Sequence, residues 1–403
     1  MSSVSPSVPS SRTVLWPQIW GLAAVQGAIT LSWVIYNLYL LQLLTQFGFS
    51  GALATGLIVL ETGAAVVLEP LMGGLSDQMQ RWVGSRFPFV ASGVILASIC
   101  FLAIPVSLIS GGLTPITRWL LPTAMVLWAL SMTVFRSPVL SLLGRYAIGT
   151  RQPQAASILT LVGGVAGAVA PLAGDLILQA GPLLVFSLGS VVLLGSAFVL
   201  RLTNPDQSSQ GAQATEAPKQ QRSLLALMAI FGTGFAVTLG LQALLRTFPT
   251  ALGALTENPK LIMGLVFIAI AGLAFPAGTL ARQFGMFTGM AAGLGLLALL
   301  SIGVILVGTL GLAVLLAIAV GSSISLISNC TIPIALAAAP PDRGGLGTGL
   351  YFGGAALATS VFSGAIAPAD LGIAPVLTLG AVAFLAAIAL IQPIRMAADL
   401  AAK

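Results

Sequence analysis

The chain has 403 residues, of which 57% are hydrophobic and only 6% are charged, whereas soluble domains carry about 25% charged residues. This composition excludes an ordinary water-soluble fold and indicates a lipid bilayer as the solvent. The net charge of +6 comes from sixteen basic residues scattered in short loops, so we expect no nucleic-acid partner. There is no histidine and no cluster of metal-ligating side chains. We therefore expect no metal, no cofactor and no enzymatic activity.

Long apolar segments predict the fold class. A bilayer core about 30 Å thick needs about 20 apolar residues per helix, and backbone polar groups in lipid must be satisfied within the chain. We predict an all-α membrane protein with twelve transmembrane helices in two six-helix bundles. The predicted spans are 18–43, 52–75, 88–109, 119–141, 155–179, 181–201, 224–246, 258–280, 286–308, 311–337, 346–367 and 373–394. The predicted organisation is a tail over 1–17, a bundle over 18–201, a linker over 202–223, a bundle over 224–394 and a tail over 395–403.

Charge placement predicts the orientation. With the amino terminus inside, Arg136 lies within a span, and twelve basic residues on the inner side face three on the outer side. The inner residues are Arg12, Arg81, Arg86, Arg145, Arg151, Arg201, Lys219, Arg222, Arg282, Arg343, Arg395 and Lys403. The outer residues are Arg118, Arg246 and Lys260. Because inner loops of membrane proteins are enriched in Lys and Arg, we predict a multi-pass protein of the cell (inner) membrane with both termini cytoplasmic.

A weak internal repeat relates the two predicted bundles. The stretch 73–77 at the end of span 2 has a counterpart at 278–282, at the end of span 8. The glycine pair Gly163-Gly164 in span 5 likewise resembles Gly353-Gly354 in span 11. Parallel repeats of six spans are typical of one large class of secondary transporters.

The loop between spans 2 and 3 carries a recognisable motif. Gly74-Leu75-Ser76-Asp77 is followed by Gly84-Ser85-Arg86, and a degenerate copy follows span 8. This motif resembles that of the major facilitator superfamily, and the resemblance covers all twelve spans. It implies two bundles that rock about a central cavity, with spans 1, 4, 7 and 10 forming the wall.

A closer resemblance concerns spans 2 and 4. The stretches 69–73, 81–89 and 136–142 are similar to those of the glycoside–pentoside–hexuronide cation symporters and the related sucrose carriers. That branch implies uptake by cation symport. Ala65 stands where some of these symporters carry the second acid of a sodium site, which favours a proton over sodium. Arg136 stands where relatives often have an acidic or neutral polar residue, which argues against a neutral sugar as the solute.

Two acids in span 2 are candidates for cation coupling. Glu69 precedes Pro70, and Glu61 lies eight residues earlier, about 12 Å away along a helix. A charged group inside a span costs at least about 2.5–3.5 kcal/mol, so each acid calls for an explanation. Either they are carboxylates whose protonation is coupled to transport, or Glu69 forms a structural ion pair or lies at the membrane interface.

Polar residues inside the spans are candidates for solute binding. Arg136 is the only base well inside a span, and a guanidinium stays charged where a lysine can be neutralised. It either binds an anionic group of the solute or pairs with Glu61 or Glu69. Other polar residues recur at helical spacing in spans 1, 7 and 10 and either line the cavity or join helices. These further candidates are Gln26, Thr30, Asn37, Gln242, Ser325 and Asn329.

The same superfamily resemblance implies a gate on the cytosolic side. It places Asp77 against the start of span 11, near Gly344-Gly345-Leu346, where the free N–H groups and the macrodipole of a helix stabilise a carboxylate. Arg81, Arg86 and Arg145 are the basic partners expected to close this side together with Asp77. The alternative is a solvated loop with no closing role.

These observations favour a secondary active transporter, monomeric in the bilayer, that moves a small polar or anionic solute by alternating access with a coupled cation. No Gly-x-x-x-x-Gly-Lys-Ser/Thr loop indicates an ATP-driven motor. Efflux by proton antiport stays open, because the Gly-x-x-x-Asp loop is common to both directions. The alternative from another class is a non-transporting or pigment-handling assembly factor, since carriers resembling (bacterio)chlorophyll-assembly proteins share the Ser-Asp…Gly…Arg…Pro-aromatic loop.

Overall fold

The computed structural model describes residues 14–109, 117–204, 224–253 and 255–402, and all regular secondary structure in these ranges is helical. The helices of the first half are α1 Trp16–Gln46, α2 Gly51–Val83, α3 Phe87–Ile109, α4 Leu120–Leu140, α5 Gln152–Ala180 and α6 Pro182–Thr203. Those of the second half are α7 Leu224–Leu252, α8a Pro259–Gly272, α8b Ala274–Phe284, α9 Met286–Ile305, α10 Leu310–Ala338, α11 Gly344–Val361 and α12 Ile373–Ala402.

These helices have the length and composition of membrane spans. Among the described residues, eleven are long and apolar enough to cross a bilayer, and the bent pair α8a–α8b makes a twelfth if it counts as one span. Large apolar side chains such as Leu176, Val191 and Leu299 are exposed on the outer surface, where lipid would cover them. The predicted all-α membrane fold class is confirmed.

The bend of 51° between α8a and α8b has a local cause. Pro276 has no N–H to donate to the carbonyl of Gly272, and its ring crowds that carbonyl. The break also leaves backbone groups without helical partners, and Nδ2 of Asn329 on α10 donates a hydrogen bond of 2.8 Å to the carbonyl of Ala274. A polar side chain from a neighbouring helix thus stabilises the kink.

The carboxyl-terminal segment of the chain is helical. Residues 1–13 and most of the predicted linker, 205–223, lie outside the described residues. Residues 395–402, within the segment predicted as a tail, continue α12, because this segment contains no Pro or Gly and is rich in alanine, a strong helix former. An (i, i+4) ion pair between Arg395 and Asp399, at 3.9 Å, lies on the same turn.

Each half has its own apolar core. The largest cluster of buried side chains comes from the first half, with Ile332 the one member from α10. At its centre lies Trp128, whose ring contacts those of Tyr36 and Phe101. Two further clusters consist of residues from α7 to α12 only. The two halves are therefore separately packed bodies, and contacts between them are made along a limited set of helices.

Two helix pairs join the halves at close range. α2 packs against α11, where Gly73 faces the backbone of Gly345. α8b packs against α5, where Gly278 faces Ser157. In both pairs a small residue lets two backbones approach closely. The two contacts involve the two copies of the internal repeat, 73–77 and 278–282, in equivalent places.

Replacement of Gly354 by alanine is expected to destabilise the second half. A Cβ at this position would overlap the carbonyl oxygen of Phe231 on α7, and overpacking of this kind costs about 1–3 kcal/mol. Gly195→Ala is the matched control, because its added Cβ meets no atom within 4 Å. Thermal unfolding of the purified proteins in detergent should show a lower midpoint for Gly354→Ala only. Equal midpoints would contradict the close packing of α7 and α11.

Candidate functional site

A cavity of about 530 Å³ lies between the two halves. The four helices that the resemblance implies, α1, α4, α7 and α10, all contribute to its wall, and α2, α5, α8a and α11 contribute as well. Its polar residues lie mainly in the first half. They are Gln26, Thr30, Thr62, Glu69, Thr133, Arg136 and Thr160. The second half supplies a largely apolar wall with Thr238, Ser328, Thr331 and Thr359 among its hydroxyl groups.

Glu69 and Arg136 form an ion pair at the wall of this cavity. Glu69 is 1% exposed, and its Oε1 lies 3.7 Å from Nη1 of Arg136. Its Oε2 accepts a hydrogen bond from the hydroxyl of Ser137, the next residue on α4. The Arg136 side chain is 32% exposed, so part of the guanidinium faces the cavity. Of the partners that the sequence allowed for Arg136, the structure selects Glu69.

Phe352 on α11 supports the other face of Arg136. The guanidinium carbon lies 4.0 Å from the centre of the Phe352 ring, which is the geometry of a cation–π contact. Arg136 is thus held between a carboxylate of the first half and an aromatic ring of the second. Any movement that separates the halves at this level must change at least one of these contacts.

Two polar atoms at the cavity lack partners among the described residues. Oε1 of Gln26 and Nε1 of Trp33 are buried, and neither forms a hydrogen bond. Both residues line the cavity on one face of α1. Nε2 of Gln26 is 3.3 Å from the hydroxyl of Thr30, which fixes the orientation of the amide. Buried polar atoms without partners are uncommon, and here they offer one acceptor and one donor to a bound solute.

Four predicted solute-binding residues do not line this cavity. Asn37 is exposed and donates to the carbonyl of Trp33 on its own helix. Gln242 joins α7 to α11 through the hydroxyl of Thr359. Ser325 and Asn329 are fully buried. The amide of Asn329 donates a hydrogen bond to the carbonyl of Ala274 at the bend between α8a and α8b. The polar positions of α10 that reach the cavity belong to its neighbouring stripe, Ser328 and Thr331.

Glu61, the second coupling candidate, lies away from the cavity wall. It is 4% exposed, and its Oε1 accepts a hydrogen bond of 2.6 Å from the hydroxyl of Tyr36. The Tyr36 ring packs against Trp128 and Trp33, so the pair is enclosed by aromatic side chains. Trp33 belongs both to this aromatic group and to the cavity wall.

At one end of the molecule, which we call the Asp77 end, a buried contact joins the two halves. We call this contact, made by Asp77, Arg86 and the start of α11, the latch. Oδ1 and Oδ2 of Asp77 accept hydrogen bonds of 2.9 and 2.8 Å from the backbone N–H groups of Gly345 and Leu346 at the start of α11. Arg86 forms an ion pair with the same carboxylate. Asp77 is 1% exposed. The carboxylate therefore lies where the resemblance implies, at a helix amino terminus that favours negative charge.

The basic residues around the latch have different environments. Arg86 follows Gly84, whose left-handed conformation (φ 74°) ends α2 and turns the chain back. Its guanidinium also donates to Ser141 and Gln80. Burial lowers the pKa of Arg86, and the nearby Asp77 carboxylate opposes that shift. Arg81 lies 3.6 Å from Asp342 in an exposed pair.

The opposite end is joined by a weaker contact. Nζ of Lys260 on α8a lies 2.9 and 3.2 Å from the two carboxylate oxygens of Asp175 on α5. Both side chains are well exposed, and surface ion pairs of this kind contribute about 0–1 kcal/mol. The Asp77 end is therefore the more strongly closed end in this conformation.

Replacement of Asp77 by asparagine is expected to open the Asp77 end. The change removes the charge that faces α11 and leaves Arg86 buried without its counter-ion, a loss large enough to shift the closed-to-open ratio at least about tenfold. Spin labels at Trp82 and Met396, exposed residues of α2 and α12, report the separation of the halves. Pulsed electron resonance should give a longer distance in Asp77→Asn.

This measurement has a matched control at the other end. The labelled protein carries alanine in place of Cys100 and Cys330, the two cysteines of the chain. Asp175→Asn removes an interdomain carboxylate of comparable charge and should leave the distance at the Asp77 end unchanged. An identical distance distribution in the Asp77→Asn and parent proteins would show that the latch does not hold this end closed.

Several residues of the site were not predicted from the sequence. Ser137 is part of a recognised motif, but nothing in its neighbours points to a bond with Glu69. Phe352 lies in an apolar helix, and only the tertiary fold brings it to Arg136. Thr348 donates to the carbonyl of Ser137, 3.1 Å away, and so ties α11 to α4. Asp342, in the loop before α11, carries no local signal that marks it as a partner of Arg81.

The sequence signature of the Major Facilitator Superfamily matches residues 22–363 of this chain. This match covers most of the chain, and the protein belongs to that superfamily. No curated protein matches the sequence closely enough to indicate a particular relative.

Solved structures agree on the fold. The human organic anion transporter MFSD10 (TETRAN) superposes with a TM-score of 0.70 at 14% identity, covering 96% of this chain and 100% of that one. The Major Facilitator Superfamily transporter FucP in its outward conformation superposes with a TM-score of 0.65 at 13% identity, covering 93% and 99%. At these identities the similarity establishes the fold alone.

Proposed function

We propose that this protein is a secondary active transporter that moves a small hydroxylated organic anion through the central cavity by alternating access, coupled to a proton. The observation that carries this proposal is the position of Arg136. Its guanidinium is partly exposed to the cavity, while its neutralising partner Glu69 is buried. A cation in such a place can exchange its protein carboxylate for the carboxylate of a solute.

The cavity suits a small solute with one anionic group. Its volume of about 530 Å³ lies within the range of small-molecule sites, about 300–1,000 Å³. A guanidinium binds a planar carboxylate through two parallel hydrogen bonds. A hydroxyl group of the solute can donate to Oε1 of Gln26 and accept from Nε1 of Trp33, the two atoms left without partners. A sugar acid has both kinds of group.

Charge balance couples the proton to the anion. With Glu69 ionised, the carboxylate and Arg136 cancel, and an incoming anion would have to compete with Glu69 for the guanidinium. When a proton binds Glu69, Arg136 is left with an unbalanced positive charge that one anionic group neutralises. Proton and monoanion therefore bind best together, and the loaded site has the same net charge as the empty one. This arrangement favours symport over antiport.

The orientation of the protein follows from its basic residues. We propose that both termini are cytoplasmic, that the Asp77 end is the cytosolic end, and that the protein is a monomer of the cell membrane. The excess of Lys and Arg on the Asp77 side supports this placement. The conformation described here, with a buried latch at that end and only an exposed ion pair at the other, is then closed toward the cytosol.

Transport into proteoliposomes tests the proposal. A panel of sugar acids, other organic anions and neutral sugars is offered under an imposed proton or sodium gradient. We expect accumulation of at least one hydroxylated organic anion with an inward proton gradient, and weaker or no accumulation of its neutral sugar counterpart. Absence of accumulation across the panel in vesicles with folded protein, or dependence on sodium instead of protons, would contradict it. The first of these results would favour the non-transporting assembly factor.

A further inference from the structure

A second cavity, of about 590 Å³, lies at the Asp77 end. It is separate from the central cavity, and its lining residues come from both halves. In the first half they belong to the end of α2, the α2–α3 and α4–α5 connections and the start of α5. In the second half they belong to the ends of α8b and α10, the start of α9, the loop before α11 and its first residue. This vestibule, as we call it, exists only while the two halves are in contact at this end.

The vestibule carries an excess of positive charge. Arg86, Arg145 and Arg282 line it, and Asp342 is the one carboxylate among the described residues of its lining. Arg86 is already paired with Asp77, and Asp342 lies beside Arg81. Within the described part of the chain, neither Arg145 nor Arg282 forms an ion pair with a carboxylate. Two exposed arginines thus line the same space without a counter-ion from those residues.

Helix amino termini add to this positive field. The vestibule is lined by the first residues of three helices, α5, α9 and α11. The amino terminus of a helix carries partial positive charge and free N–H groups that bind oxyanions. The α11 terminus already binds one oxyanion in this structure, the carboxylate of Asp77, through two N–H groups. The charge and the backbone geometry therefore point to the same class of ligand.

We propose that the vestibule is a second anion site, which binds a phosphate group between Arg145 of the first half and Arg282 of the second. A phosphate dianion matches two uncompensated guanidinium groups in charge, and arginine binds phosphate through paired hydrogen bonds. Nη1 of Arg282 already reaches across the interface to Oε1 of Gln154 at 3.1 Å, so its side chain is directed toward the first half. The site is independent of the solute in the central cavity and of whether the protein transports.

Occupancy of this site stabilises the closed Asp77 end. Its two arginines belong to different halves and separate when that end opens, so phosphate binds the closed conformation in preference to the open one. A ligand shifts such an equilibrium by its difference in affinity for the two states. Phosphate on the Asp77 side is therefore an effector that slows opening toward that side.

Phosphate binding by the purified full-length protein tests the proposal. Inorganic phosphate is titrated in detergent at constant ionic strength, set with chloride, and binding is followed by thermal midpoint and by calorimetry. Arg145→Gln and Arg282→Gln are each expected to weaken binding about tenfold, because each removes a charge-assisted contact. Arg395→Gln, at an exposed arginine on α12, is the matched control and should bind as the parent does.

A second readout and a second variant keep the outcome clear. In the parent protein labelled at Trp82 and Met396, phosphate should increase the population with the short distance between the two labels. In the double variant Arg145→Gln/Arg282→Gln, phosphate should leave that population unchanged. Arg145→Lys keeps the charge and should retain part of the affinity even if the glutamine variant folds poorly. Equal phosphate affinity in the parent and the folded double variant would overturn the proposal, and so would an equal loss in Arg395→Gln.

The source of the phosphate group is decided in nanodiscs. One set contains anionic phospholipid and no free phosphate, and the other contains only zwitterionic lipid with free phosphate added. A short-distance population that follows the anionic lipid identifies a headgroup as the ligand, and one that follows added phosphate identifies a soluble anion. Either result supports the site if it is lost in the double variant. A distance that responds to neither source overturns it.

Discussion

Uptake of the transported anion falls at least about a hundredfold when Arg136 is replaced by glutamine. Among the described residues, this guanidinium is the only basic group on the wall of the central cavity, and no other positive charge of that wall can hold the anion. Removing one partner of a buried, hydrogen-bonded charge pair between two binding partners costs about 2–5 kcal/mol in binding. Since Arg136 is 32% exposed, we take about 3 kcal/mol, which corresponds to about a hundredfold in binding.

The controls separate binding from folding. Arg136→Lys keeps the charge but loses the planar guanidinium, which binds a carboxylate through two hydrogen bonds. We therefore expect partial uptake with weaker affinity for the anion. Arg246→Gln removes an arginine that bonds to Gln242 outside the cavity wall and should transport as the parent does. Initial rates in proteoliposomes with equal amounts of folded protein provide the measurement. Parental uptake in Arg136→Gln would show that the anion is bound elsewhere.

The same ion pair predicts a stability coupling. Arg136→Gln leaves Glu69 buried beside Ser137 without a cation, and this variant should unfold at a lower temperature than the parent. In Glu69→Gln/Arg136→Gln no charge remains at the pair, so much of that loss should be recovered. Non-additive midpoints of this kind are the signature of two residues in direct contact. The double variant should still fail to transport.

The sequence predicted most of what depends on local composition. Twelve apolar runs and their helical conformation follow from hydropathy alone, because the bilayer admits few solutions for the backbone. The contact of Asp77 with α11 was also predicted, although it joins residues far apart in the chain, because a motif carried the information. The kink at Pro276 was missed, because a proline inside a span does not by itself identify a break. Pro70 and Pro171 also lie inside α2 and α5, which continue as single helices.

The faces of the helices were harder to predict than the helices themselves. The polar stripe of α10 was assigned to Ser325 and Asn329, yet the cavity is lined by Ser328 and Thr331 from the adjacent face. In a soluble protein the polar side of a helix faces water, but a helix in a membrane has apolar surroundings on both its lipid side and its protein side. Its polar residues therefore serve helix contacts and cavities alike. The partners of Arg136 could not be chosen from the sequence for the same reason.

The two ends of the molecule are held by unequal forces. The Asp77 latch combines two backbone N–H groups, one guanidinium and nearly complete burial, whereas Asp175 and Lys260 meet in solvent. A transporter that exposes its cavity alternately to both sides must be able to break each closure. The buried latch is broken most easily if solute and proton binding change the positions of α2 and α11, the helices that carry Glu69 and Phe352.

Replacement of Glu69 by glutamine should uncouple transport without abolishing it. The amide keeps the shape of the side chain but binds no proton in the working range, and Arg136 no longer has a carboxylate that competes with the anion. The variant is expected to exchange labelled for unlabelled anion across the membrane, yet to accumulate none under a proton gradient. Accumulation should fall to the level set by equilibration, while the exchange rate stays within about tenfold of the parent.

Two further carboxylates make this test specific. Asp175→Asn removes an exposed acid at the opposite end and should leave proton-driven accumulation intact. Glu61→Gln tests the second coupling candidate of α2, which bonds to Tyr36 and does not line the cavity. If Glu61→Gln abolishes accumulation and Glu69→Gln does not, the proton is carried at the Glu61–Tyr36 pair. If both variants accumulate normally, neither Glu61 nor Glu69 carries the coupling, because each has then lost its titratable group without effect.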